Sequence, residues 1–163
     1  MRGMMKKILT LFILFICAMA PWCKKSEAIA KNKVSAPRNK SSDLKTFLAL
    51  GDSYTSGDAV ASEDTYVTQT VKILNEDKVS FSAPEIIAKS GWTTGNLLTG
   101  LGQTPPQHPP YDIVTILIGV NNQFQKQPKE IYNDEFAILL NSAIVLAGNN
   151  KKHVIVLSLP DYS

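Results

Sequence analysis

Residues 112–120 read DIVTILIGV, one acid followed by eight residues without a charge. A run this apolar, rich in β-branched side chains, predicts a strand covered on both faces; a half-exposed strand would alternate. Strands of that kind belong to parallel sheets, and three other segments share the pattern. Thr46–Leu50 (TFLAL) is stopped by Gly51, Glu85–Ala88 (EIIA) is short, and Val154–Leu159 (VIVLSL) is stopped by Pro160. Helical signals lie between them. Tyr66, Val67, Thr70, Val71 and Leu74 recur at helical spacing behind Ser62-Glu63-Asp64, an acidic, capped start. Thr94 is placed to cap a brief helix through Leu97 and Leu98. Pro128 suits the first turn of a helix with the stripe Phe136, Leu139, Leu140, Ala143 and Ala147, and Gly148 ends it. The Pro-rich segment 103–110, QTPPQHPP, excludes helix or strand interior. Strand and helix thus alternate along the chain, which predicts an α/β domain with a parallel sheet and helices on both faces.

Length and charge narrow the function classes. A chain of 163 residues, 44% hydrophobic, suffices for one domain with its own core and is too apolar to be disordered. Its excess of 17 basic over 14 acidic residues is confined to the first 30, where Arg2, Lys6, Lys7, Lys24 and Lys25 face only Glu27. Residues 31–163 carry 12 basic and 13 acidic side chains. A near-neutral body lacks the electrostatic footprint of a nucleic-acid-binding protein.

Residues 1–30 read as a signal peptide: a cationic start, the apolar run Ile8–Ala20, and small-x-small patterns ending at Ala28 and Ala30. The 13 apolar residues would rise about 20 Å as a helix, short of the ~30 Å hydrocarbon core. The expectation is export to the periplasm or the extracellular space, with no stable membrane span in the mature chain. The rival reading is a membrane anchor, through an uncleaved leader or a lipidated Cys17 or Cys23. Those are the only cysteines, so a cleaved body can form no disulfide. Residues 31–45, KNKVSAPRNKSSDLK, are polar and aperiodic and read as a flexible linker, which leaves 46–163 as the folded domain.

Ligands of open parallel sheets bind beyond the carboxyl ends of the strands. Three loops follow strands there: Gly51-Asp52-Ser53-Tyr54, Lys89-Ser90-Gly91-Trp92 and Gly119-Val120-Asn121-Asn122. Together they supply a hydroxyl, a glycine with an accessible N–H and a side-chain amide, the parts of an acyl-transfer site. Each alone is ordinary turn or cap chemistry. Trp92, Tyr54 and Phe124 are candidates to line a pocket. No metal-ligand cluster and no Gly-x-Gly-x-x-Gly turn occurs, so neither metal nor cofactor is expected.

The stretches LALGDSYTSGD, AKSGWTTGNL and ILIGVNNQF resemble, in order, three blocks of the SGNH (GDSL-type) hydrolases, a family of serine esterases, lipases and carbohydrate deacetylases. The similarity runs from about Thr46 to the last residue. It implies a flavodoxin-like, three-layer α/β/α sandwich with five parallel strands. It also implies that Ser53 is the nucleophile, with the oxyanion held by the N–H of Ser53, the N–H of Gly91 and the amide of Asn121. The implied substrate is a small-molecule ester, a lipid or an acylated sugar. Tyr54 and Asn122 are mild departures, standing where the family often has Leu and Asp. Asp52 is read as holding the turn. A third departure is larger: the family carries its acid and base as Asp-x-x-His after the fifth strand, whereas Asp161 has no His behind it. His108 and His153 both fall at strand entries, at the edge opposite Ser53. The expectation is therefore the N-terminal portion of a longer esterase, with four strands present and negligible turnover of its own. The alternative is a catalytically silent binding or interaction domain of the same fold.

Overall fold

The computed structural model describes residues 44–159. The leader with Cys17 and Cys23, residues 31–43 and Asp161 lie outside them. Four strands, β1 (Phe47–Gly51), β2 (Glu85–Ala88), β3 (Ile113–Leu117) and β4 (Val154–Val156), form one parallel sheet in the order β2-β1-β3-β4. β1 is central: Leu48 pairs with Glu85 on one side and Val114 on the other, and Gly51 with Ala88 and Leu117. Every residue of β1 is buried, which is why its sequence does not alternate.

Five helices complete the layers: α1 (Ser53–Ser56), α2 (Tyr66–Glu76), α3 (Thr94–Gln103), α4 (Val120–Phe124) and α5 (Lys129–Leu146). Successive side chains of β1 enter opposite cores. Leu48 and Leu50 join Ile116, Leu97 of α3 and Leu139 and Ala143 of α5. Phe47 and Ala49 join Val67 and Val71 of α2, with Phe81 edge-on to Phe47. Handedness explains this allocation. The chain steps one way from β1 to β2, then reverses to reach β3 and β4, so right-handed crossovers put α2 on one face and α3 and α5 on the other. The reversal opens a crevice between the carboxyl ends of β1 and β3. This is the α/β sandwich expected.

Several local expectations shift. The acidic triplet Ser62–Asp64 is a 3-10 turn, and Thr65 caps α2, its hydroxyl accepting from Thr68 N at 3.2 Å. Thr93 rather than Thr94 caps α3, in a reciprocal capping box with Asn96. β3 ends at Leu117 because Gly119 turns the chain into α4. Lys45, assigned to the linker, already bridges to Phe81. β4 is shorter than its apolar run and lies at the sheet edge, with Ile155 46% and Val156 50% exposed. An uncharged edge with open hydrogen-bonding groups is a pairing surface.

Candidate active site

Gly51 ends β1 where the next turn needs room. A Cβ there would stand 2.1 Å from Thr55 Oγ1 and 2.5 Å from Leu117 O, so only glycine lets α1 start against β3. Asp52 follows, wholly buried. Its Oδ1 accepts from Tyr54 N at 3.1 Å and its backbone carbonyl accepts from Thr55 and Ser56, which winds the four-residue helix α1. Burial pushes the Asp52 carboxyl above the usual carboxylate range, against the Tyr54 hydrogen bond. Asp52 is thus turned inward and holds the turn. Ser53, one residue on, is half-buried and opens α1.

The second loop is tied to its neighbours on both sides of Gly91. Ser90 Oγ donates to Asp58 Oδ2 at 2.8 Å, and the carbonyl of Trp92 accepts from Asn121 Nδ2 at 2.9 Å. Gly91 itself has φ +79°, a left-handed conformation that favours glycine, and the space beside it is open.

Asn121 and Asn122 occupy the first turn of α4 with contrasting roles. Asn122 is 3% exposed and fully engaged. Its Oδ1 accepts from Thr94 N at 3.0 Å, and its Nδ2 donates to Thr94 Oγ1 at 2.7 Å and to Gln127 Oε1 at 2.8 Å. Thr94 Oγ1 in turn donates to Glu135 of α5. The chain amide to hydroxyl to carboxylate runs in one direction, and it pins α4 to α3 and α5. Asn121 spends one amide hydrogen on Trp92 and keeps the second.

Ser53 and Asn121 line one cleft of about 610 Å³, together with Tyr54, Val120, Gln123 and Phe124. Among the described residues nothing accepts from the N–H of Ser53 or of Gly91, nor from the Ser53 hydroxyl. Ser53 and Asn121 thus meet at one cleft with the Ser53 N–H and half an amide uncommitted, whereas Gly91, whose N–H is also uncommitted, is not among the residues that line it. Trp92 is elsewhere. Its indole packs over Gly100, where a Cβ would approach to 2.4 Å, and it borders the core of α3 and α5. His153 closes a 3-10 turn before β4, and His108 lies in the loop entering β3, so both sit at the amino end of the sheet, opposite Ser53. Among the described residues no group of three His, Cys, Asp or Glu could hold a metal, and no helix is long and apolar enough to cross a membrane.

The sequence reading missed the network of Asn122, Thr94, Gln127 and Glu135. One signal was available: Glu135 is four residues before the buried Leu139, on the apolar side of α5, where a carboxylate needs a buried partner.

Solved structures share this fold. The chain is similar to TesA (TM-score 0.58, 18% identity, covering 71% of this chain and 61% of that one). It is also similar to AlinE4, an SGNH-hydrolase family esterase (0.55, 16%, 69% and 58%). A third likeness is to the lipase Lip_vut3 from a goat rumen metagenome (0.51, 20%, 69% and 62%). The chain therefore spans about three fifths of the length of these proteins. No curated protein matches it. The match that reaches past the fold to ancestry covers residues 49–162, from the middle of β1 onward, and by it the chain belongs to the GDSL-like lipase/acylhydrolase family.

Proposed function

We propose that this domain is a serine ester hydrolase that works through an acyl-enzyme. Ser53 Oγ attacks the ester carbonyl. The N–H groups of Ser53 and Gly91 and the free hydrogen of Asn121 Nδ2 receive the oxyanion as it forms. The observation that carries the reading is that Ser53 and Asn121, 68 positions apart in sequence, line one cleft. Family membership supports hydrolase chemistry, and the leader supports export of the domain. A general base must come within about 3 Å of the hydroxyl to take its proton. Neither histidine lies on that rim. The same observation favours the second reading, a ligand-binding domain that has the fold without turnover.

The test is acylation of the full chain by p-nitrophenyl acetate, with and without added imidazole as an external base, read by peptide mass spectrometry. The expected result is acetyl transfer to Ser53, speeded by imidazole and absent from Ser53→Ala, with negligible steady-state turnover. An oxyanion hole and binding alone supply roughly 10³–10⁴-fold over water. No label on Ser53 under either condition favours the binding domain. Robust turnover without imidazole, lost on Ser53→Ala, would show that a base within these residues serves the serine.

A further inference from the structure

At β4 the layers that cover the rest of the sheet give out. Its register with β3 assigns each side chain to a face. Ile155 pairs with Thr115, whose hydroxyl meets Tyr66 of α2, and Val156 pairs with Ile116 of the core under α3 and α5. Both are about half exposed, one on each face. The near flank of α5 continues this surface. Glu135 marks the side of α5 that meets α3, and Ile144, nine residues or two and a half turns on, lies on the opposite side, half-buried, with Leu140 beside it. The backbone edge is open too. Leu157 N donates to Ile116 O at 2.9 Å, so with Val156 opposite Ile116 the parallel ladder turns Ile155 and Leu157 toward β3 and both backbone groups of Val156 outward. The Val154 carbonyl points the same way, its N–H being spent on Lys151 O, and Ser158 makes no backbone hydrogen bond among the described residues.

We propose that this edge pairs antiparallel with the β4 of a second copy of the chain, about a twofold axis at Val156, to give one eight-stranded sheet. The hydrogen bonds are self-complementary. Directly opposed residues of an antiparallel pair exchange both bonds, so Val156 satisfies its own counterpart, and Ser158 N–H meets the Val154 carbonyl once each way. Side chains match as well. Val156 faces Val156 on the α5 side, Ile155 faces Leu157 on the other, and the two α5 flanks with Leu140 and Ile144 come side by side. Charge selects the antiparallel arrangement. Residues 154–159 carry none, and Lys151 and Lys152 stand five and four residues from the axis. The lysines of the two copies are thereby kept roughly 30 Å apart, about three screening lengths, whereas a parallel pair would stack them. The axis uses β4 of both copies, so the assembly closes at two. One short strand and one helix flank make a contact at the small end of specific interfaces, which predicts micromolar affinity.

Sedimentation equilibrium of the full chain across the micromolar range should show monomer and dimer and nothing larger. Val156→Lys sets two lysines face to face and should weaken the dimer about a hundredfold, while the urea midpoint of the dilute protein stays unchanged because Val156 is half exposed. Ile138→Lys, on the outward face of α5, should leave the dimer intact. Geometry is read separately by cross-linking. With Cys17→Ser and Cys23→Ser in place, Val156→Cys should oxidise to a covalent dimer, since directly opposed Cα atoms stand about 5.5 Å apart, within disulfide reach. Ile138→Cys in the same background should not. A monomer at every concentration overturns the proposal, as does a Val156→Cys chain that forms no cross-link. Association that Val156→Lys leaves unchanged overturns it as well, because the contact then belongs to another surface, and so do species larger than a dimer.

Discussion

At the amino end of the sheet Glu85 takes the hydrogen bond of the Tyr111 hydroxyl; at the carboxyl end Glu135 takes that of Thr94. The two arrangements look alike, a carboxylate on one element clasping a hydroxyl on another. Their surroundings differ. Tyr111 Oη also accepts from His108 N at 3.0 Å, and Glu85 accepts from Gln107 N at 2.9 Å, so the Pro-rich loop is closed on itself. Burial first, and then the Glu85 bond, push the Tyr111 hydroxyl far above its ordinary pKa, which keeps it a donor. At the other end Thr94, itself bonded to Glu135, satisfies Asn122, and the preceding residue, Asn121, is held with donor capacity to spare. A network that consumes all its hydrogen bonds builds stability. One that leaves a fixed donor uncommitted in a cleft that a serine also lines is where the proposed chemistry would sit.

The comparison breaks most visibly at Asn121. Asn121→Ala should lower the rate of Ser53 acetylation about 10²–10³-fold, the usual loss for one oxyanion donor, and change the urea midpoint little. A stability loss with an unchanged acylation rate would make Asn121 a structural residue like Tyr111. Asn122→Asp probes the direction of the network. The Thr94 hydroxyl has one hydrogen and would then face two carboxylates, so the fold should lose about 2 kcal/mol, read by urea denaturation. Glu135→Gln in the same chain should restore most of it, because the new amide donates to Thr94 and frees its hydrogen. Tyr111→Phe at the opposite end should cost about 1–2 kcal/mol through the lost bond to Glu85, which keeps Gln107 N, and the unpaired His108 N–H, and leave acylation of Ser53 unaltered.

The smallest effect concerns Asp52. Its folded carboxyl holds a proton more tightly than the unfolded one, because burial disfavours the charge. Its contribution to stability is therefore full below the unfolded pKa and lost as pH rises through the folded value. Relative to Asp52→Asn, the wild-type urea midpoint should fall between acid and neutral pH. Parallel profiles would mean that the carboxyl titrates alike in both states.

Much of the fold was legible because the two central strands, β1 and β3, are buried on both faces and read as unbroken apolar runs. The segments FLALG and EIIA fall within a residue of the apolar runs, IVTIL stops three residues short of its run, and of the expected stripe Leu139, Ala143 and Ala147 are buried while Phe136 and Leu140 are half-buried. Boundaries were less legible where one hydroxyl competes with the next. Thr93 and Thr94 are equally good caps in sequence, and only packing sends Thr93 to the backbone of α3 and Thr94 to Asn122 and Glu135.

For the proposed site, order along the chain was enough to put the loops of Ser53, Gly91 and Asn121 on one rim, since loops after parallel strands must share one end of the sheet. Which of their hydrogen bonds are spent is a different kind of information. It depends on groups that meet only once α3, α4 and α5 are packed, such as Asn121 on the Trp92 carbonyl and Ser90 on Asp58. Periodicity records which side chains leave water, because burial is a property of each residue's own surface. Hydrogen-bond pairing between distant residues is a property of two positions at a fixed distance, and that distance exists only in the folded chain.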